Sequence, residues 1–284
     1  MATNFFQIQS QATILYSTLG DYLSQDEVEL VKKAYKIADK AHSGQYRKSG
    51  EAYISHPMSV ALILAELKLD YLCIVAAILH DCIEDTSITN EDVKNEFGEQ
   101  VAHIVEGVSK LTSLEFTSSS QKQARNFQKL ILAMSKDMRV MIIKLADRLH
   151  NMRTIGSMSE EKRIQKAKET SELHAPIARR LGLHSIGVEL DDLCFQTLHP
   201  RKHLIIKRKI NKQYGNQKKT INLIKSEIEN RLKFEQINAT VEGRQKQPSS
   251  IYNKMKIKSR KFSEVLDMHA FRVVVENTNA CYQA

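Results

Sequence analysis

Cysteine is scarce in this chain, and the four present show no paired spacing. Cys73, Cys82, Cys194 and Cys281 fit neither a disulfide framework nor a closed thiolate zinc site. Cys73 and Cys82 fall inside helical patterns and read as reduced core thiols of a cytoplasmic protein. Glycine and proline are also sparse, at 10 and 4 residues of 284. That is too little punctuation for a many-stranded front half, and periodicity of the 3.6-residue kind recurs through the first 200 residues. No apolar run approaches the ~20 residues of a membrane helix. The first 19 residues lack a basic stretch followed by an apolar core, so no secretory signal is expected.

Charge is plentiful but unevenly placed. From Arg201 onward there are 19 Lys and Arg against 7 Asp and Glu, a net of +12, which leaves the first 200 residues at −3 within the overall +9. Two units with different tasks are expected, the second suited to a polyanion or simply carrying a solvated Lys-rich face.

The helices expected in the front half are residues 25–41, 57–69, 70–84, 99–111, 124–135 and 136–155, with further helical patterns to Leu198. Pro57 suits a first helical position. Thr89 and Asp92 resemble a capping box and Gly98 suits the exit of that helix. Residues 112–123, with three consecutive serines, read as a loop. His199-Pro200 marks a break, and residues 216–234 form another helix. Beyond it, β-branched runs at 237–242 and 271–276 read as strands around an apolar-periodic stretch at 251–255. This is too little sheet to stand alone, so a fragment of a longer chain is expected.

Two helices present polar groups where a core would otherwise continue. In ILHDCIED (78–85), His80, Asp81, Glu84 and Asp85 share one arc of a helix. Around Asp147, the residues Lys144, Arg148 and Asn151 lie opposite an apolar stripe of Met138, Ile142, Leu145, Leu149 and Met152. With His56, the residues His80, Asp81 and Asp147 supply two imidazoles and two carboxylates. Such a mixed nitrogen and oxygen set suits Mn²⁺ or a similar ion, which activates water and neutralises phosphate oxygens. Glu84 and Asp85, one turn on, are placed to position water or move protons. His103, His150, His174 and His184 lack such company and read as structural.

Residues 42–57 (HSGQYRKSGEAYISHP), 78–86 (ILHDCIEDT), 108–112 (VSKLT), 143–154 (IKLADRLHNMRT) and 175–182 (APIARRLG) together resemble the HD superfamily, and within it the hydrolase half of the Rel/SpoT alarmone enzymes. The resemblance implies a mainly α fold: an HD helical bundle over 20–198 after an N-terminal segment 1–19, a helical connector over 199–235, and an incomplete α/β segment over 236–284. It implies metal ligands His56, His80, Asp81 and Asp147, catalytic acids Glu84 and Asp85, and a nucleotide grip by Arg47, Lys48 and Ser49. Asn151, with Lys144 and Arg148, would line the same pocket. The implied reaction is Mn²⁺-dependent hydrolysis of the 3′-pyrophosphate of guanosine tetra- or pentaphosphate. Residues 243–246 (GRQK), 250–255 (SIYNKM) and 267–275 (DMHAFRVVV) resemble the start of the family's synthetase domain, making Arg244, Lys246 and Asp267 vestiges of a second site. No synthesis of ppGpp, no membrane and no nucleic-acid partner of the hydrolase domain are expected, and no regulatory partner is assigned. The rivals are an HD nucleotidase or phosphodiesterase with another substrate, and a silent nucleotide- or RNA-binding regulator.

Overall fold

The computed structural model describes residues 2–112, 136–259, 261–265 and 269–284. The helix expected over 124–135 and the loop over 113–123 lie outside the described residues. The chain divides into two compact units, Met1–Gly187 and Val188–Ala284. The first is built of helices with a bridged loop at Tyr46 and Ala52, and the described residues of the second form helices and a two-stranded sheet. No described helix is long and apolar enough to cross a membrane.

In the first unit the helices are α1 (Ala2–Gly20), α2 (Gln25–Ala41), α3 (Ser55–Glu66), α4 (Tyr71–Leu79), α5 (Cys82–Asp85), α6 (Asn90–Phe97), α7 (Glu99–Thr112) and α8 (Met138–Arg153). After α8 come α9 (Glu160–Glu169), a π-helical turn (Thr170–His174), α10 (Ala175–Arg180) and the start of α11 (His184–Leu198). Sequence explains the ends. Ser24 and Glu27 close a reciprocal capping box on α2, and Thr89 and Asp92 do the same on α6, whose exit is Gly98. Asp70 caps α4 by accepting from the Cys73 amide at 2.9 Å.

α3 and α4 are apolar on nearly every side, the signature of interior helices. Every residue from Cys73 to Leu79 is buried. α3 packs against α1, α4 and α8, and α4 also packs against α2 and α7. Burial of each large aliphatic side chain contributes roughly 1.5–3 kcal/mol, so these two helices carry much of the core. The segment 1–19 is not a separate appendage: Leu15 and Leu19 of α1 are wholly buried.

Three expectations need correction here. α3 begins at Ser55, so Pro57 is its third residue rather than its first; the amide it lacks is still one of the unpaired first-turn donors. The helix expected over 70–84 breaks at His80-Asp81, although both keep right-handed helical backbone angles and the shared polar arc survives. α8 is not striped. Met138 is exposed, while Lys144, Asp147, Arg148 and His150 are buried with their apolar neighbours, because packing encloses both faces of the helix.

In the second unit α12 (Pro200–Phe234) runs far earlier than the expected 216–234. Its Ile206 and Ile210 join Phe195 of α11, Ile251 of α13 (Pro248–Ile257) and Val265 in a core. The stretch read as a connector is therefore part of this unit, and so is α11 from Val188 on, which the sequence had assigned to the preceding domain. β1 (Ala239–Gln245) pairs antiparallel with β2 (His269–Val275), in register from Ala239↔Val275 to Gln245↔His269. α14 (Thr278–Gln283) follows β2.

Candidate active site

A cavity of about 290 Å³ opens in the first unit. Its floor follows from the placement of the two interior helices. α4 is sheathed in core until Leu79, so the next two residues, His80 and Asp81, are delivered to the interior end of that helix. α3 delivers His56 from its first turn, and α8 brings Asp147 from its middle. One ligand atom each of His56, His80 and Asp147 lies within 4.8 Å of the others, and all three residues are buried. Asp81 joins them: its Oδ1 is 3.1 Å from His80 Nε2 and its Oδ2 is 3.6 Å from His56 Nε2. His56 Nε2 is also 3.2 Å from Asp147 Oδ1.

The protonation pattern favours a cation at this point. His80 Nδ1 lies 2.7 Å from the Ala77 carbonyl oxygen. It must donate there, because a carbonyl oxygen only accepts, and so Nε2 is the ring atom turned toward the Asp81 carboxylate. Burial pushes the His56 pKa below its ordinary value, which favours the uncharged ring. Burial alone would raise the Asp147 carboxyl, but the adjacent Lys144 ammonium holds it well below the usual range. Two imidazoles and two carboxylates thus converge in a pocket largely closed to solvent. The donor set is that of a divalent cation site without thiolates.

The cavity wall carries four cationic side chains, Arg47, Lys144, Arg148 and Lys166, and the carboxylates of Glu84 and Asp85 beside Asp81 and Asp147. Lys144 Nζ contacts Asp147 Oδ2 at 2.9 Å, and Asn151 Nδ2 donates to Asp147 Oδ1 at 2.6 Å. Arg148 reaches the wall, but its guanidinium is tied to Glu169 at 2.6 Å, both side chains being buried. That pairing neutralises much of the charge expected to meet a ligand.

Arg47 comes from a loop with its own rungs. Tyr46 and Ala52 form an isolated antiparallel bridge, the Arg47 amide donates to the Glu51 carbonyl at 2.8 Å, and the Gly50 amide donates back to the Arg47 carbonyl at 2.9 Å. Gly50 closes this turn at φ 87°, a left-handed angle that costs glycine nothing. Lys48 and Ser49 occupy the corners of the turn, exposed and outside the cavity lining. The structure therefore brings Arg47 to the site and leaves its two neighbours at the rim.

Three further groups belong to this site that the sequence did not single out. The Tyr53 hydroxyl lies 3.0 Å from Asp81 Oδ2 and 2.8 Å from Asp85 Oδ2. Burial, then the neighbouring Asp81, push its pKa far up, so it remains a protonated donor. His150, read as structural, is buried against His56, and its pKa falls to about 3 through burial, His56 and Arg47. His174 is likewise drawn to the cavity, at the end of the π-helical turn. Tyr53 was legible as the first residue of Tyr-Ile-Ser-His, three before His56. The two histidines had no spacing signal, since contact with distant elements places them. Exposed His103 and His184 stay apart from the cavity. In the second unit Arg244 lies on β1 opposite Ala270, Lys246 is half-buried just after it, and Asp267 lies outside the described residues.

The family model described as HD domain matches residues 34–184. The chain belongs to the HD domain family. Every residue lining the cavity falls within that HD match. A second model, described as a region found in RelA / SpoT proteins, matches residues 243–284. The bifunctional (p)ppGpp synthase/hydrolase SpoT of Escherichia coli (strain K12) is 49% identical over 95% of this chain and 38% of its own length. The guanosine-3′,5′-bis(diphosphate) 3′-pyrophosphohydrolase of Vibrio cholerae serotype O1 is 47% identical over 95% of this chain and 39% of its own. A GTP pyrophosphokinase of Myxococcus xanthus is 43% identical, covering 94% of this chain and 36% of its own. The chain spans less than two fifths of the length of these curated relatives. They carry names of both hydrolysis and synthesis, and the HD domain is the part whose site is built here.

Proposed function

We propose that this HD domain hydrolyses the 3′-pyrophosphate of ppGpp and pppGpp, releasing GDP or GTP and pyrophosphate and so lowering the level of the stringent-response alarmone. The observation that carries the reading is the convergence of buried His56, His80 and Asp147, the first and last of which line a cavity that also bears Arg47, Lys144 and Lys166. A metal-capable floor beside cationic walls suits a phosphate ester. The choice of a guanosine alarmone rests on the names of the Escherichia coli and Vibrio cholerae relatives.

In this reading His56, His80, Asp81 and Asp147 hold Mn²⁺, whose mixed nitrogen and oxygen preferences they match. When bound, such an ion acts as a Lewis acid toward phosphate oxygens and lowers the pKa of water. The remaining steps belong to the protein. Arg47 binds the nucleotide by stacking on the purine or by forking onto phosphate. Lys144 and Asn151 hold Asp147 in place. Asp85, oriented by the Tyr53 hydroxyl, accepts a proton from the attacking water as its oxygen bonds to phosphorus. The bond from phosphorus to the 3′-oxygen breaks, and Glu84 gives that oxygen its proton.

The test is direct: purified chain is incubated with ppGpp, with and without Mn²⁺, and GDP and pyrophosphate are resolved by anion exchange. Metal-dependent release of both is expected, and Asp81→Ala and Asp147→Ala abolish it. Turnover of deoxynucleoside monophosphates or cyclic nucleotides with ppGpp untouched would overturn the substrate. Absence of any metal-dependent turnover would favour a silent nucleotide-binding regulator.

A further inference from the structure

Arg47 meets α8 with two nitrogens at once. Its Nη2 donates to Asn151 Oδ1 at 3.0 Å, and its Nη1 lies 3.2 Å from His150 Nδ1. A guanidinium offers hydrogens and no lone pair. His150 Nδ1 is therefore the acceptor in this contact, and the proton of the neutral ring sits on its Nε2. The same Nδ1 is 2.8 Å from His56 Nδ1. Two ring nitrogens so close share one hydrogen, and since His150 has none to give there, His56 supplies it. The His56 ring is thereby held with a hydrogen on Nδ1, and it is Nε2 that faces Asp147 and Asp81.

We infer that His150 is a positioning residue, whose single Nδ1 lone pair fixes the tautomer of His56 and at the same time anchors the guanidinium of Arg47. The consequence is a link between two tasks. The group that aims a metal-capable nitrogen also sets the reach of the side chain offered to the nucleotide. Partners of this kind behind a metal-binding histidine are worth about 10- to 100-fold in metal affinity. A ring that merely filled space would do neither task. This assignment rests on the proposed function for its kinetic consequences, but not for the tautomer.

The tautomer is read first, from the long-range ¹⁵N–¹H correlations of the imidazoles in the metal-free wild-type protein. Expected is a protonated Nδ1 on His56 and a protonated Nε2 on His150. The opposite assignment on either ring overturns the inference whether or not the chain hydrolyses anything. Two variants extend the test. His150→Asn places an amide oxygen near the position of Nδ1 and keeps an acceptor, whereas His150→Leu keeps volume without one. Titration with Mn²⁺ alone, followed by electron paramagnetic resonance, is expected to show binding weakened about 10- to 100-fold in His150→Leu and largely recovered in His150→Asn. At saturating Mn²⁺, His150→Leu also raises KM for ppGpp, through the loosened Arg47. Equal impairment of both variants, or wild-type Mn²⁺ affinity in His150→Leu, would assign the ring a packing role and overturn the proposal.

Discussion

Replacing Tyr53 with Phe removes one oxygen and leaves the ring that stacks on His42 at 4.5 Å between centroids. The hydroxyl lies 3.0 Å from Asp81 and 2.8 Å from Asp85, but it has a single hydrogen to offer. The loss is therefore one charge-assisted hydrogen bond, about 1.5–3 kcal/mol, and not two. If all of it is expressed at the transition state, turnover falls by about 10- to 150-fold, since about 1.4 kcal/mol is tenfold. Asp85 is exposed, so water replaces part of what it loses, and the lower end of that range is expected. The phenol orients carboxylates and is given no task in holding the nucleotide, so kcat is expected to drop with KM nearly constant. Steady-state hydrolysis of ppGpp at saturating Mn²⁺, with circular dichroism to confirm the fold, measures both. A kcat within about twofold of wild type would refute the view that this hydroxyl orients the acid pair.

Three other outcomes follow from the geometry. Arg47→Ala is expected to raise KM for ppGpp well above the change seen in Lys48→Ala, because only the former lines the cavity; equal effects would mean that the turn rearranges around substrate. A Cβ added at Gly107 would come within 2.8 Å of Val140 Cγ2, so Gly107→Ala is expected to cost about 1–3 kcal/mol in urea unfolding despite better helix propensity. Val140→Ala in the same background should recover part of that cost, and strict additivity would argue against the close approach. Asp137 caps α8, and its bonds to Arg139 hold its pKa below the ordinary 3.8. A depressed carboxylate contributes stability above that value and loses it as pH falls through the folded-state pKa. Melting temperature should therefore fall less steeply below about pH 4 in Asp137→Asn than in wild type, and parallel curves would remove the cap from the account.

Much of this was legible in the sequence because the relevant signals are local. Thr89–Asp92 announces a helix start by side chain to backbone bonds within four residues, and that box is present. His80 and Asp81 stood out as polar residues closing an apolar run. What stayed hidden depends on contacts distant in sequence. Arg148 looked like a ligand-binding cation until α9 supplied Glu169, and His150 looked ordinary until α3 placed His56 against it. Lys48 and Ser49 share a motif with Arg47, but a turn points neighbouring residues in different directions. Periodicity also could not place the unit boundary near Gly187, since α11 runs through it without interruption.

The two sources of the site are held with unequal firmness, and that inequality sets how the site can vary. His80 and Asp81 emerge from a helix with no exposed residue between Cys73 and Leu79, so shifting them means repacking the core. Arg47 rides on a turn tied by a few backbone bonds, with Lys48 and Ser49 open to solvent. Insertions or replacements at Lys48 and Ser49, which leave Arg47 and its contact with His150 in place, touch little else. Descendants of this scaffold are thus free to change what they recognise while inheriting the chemistry unaltered, the reactive centre acting as ballast and the turn as rudder.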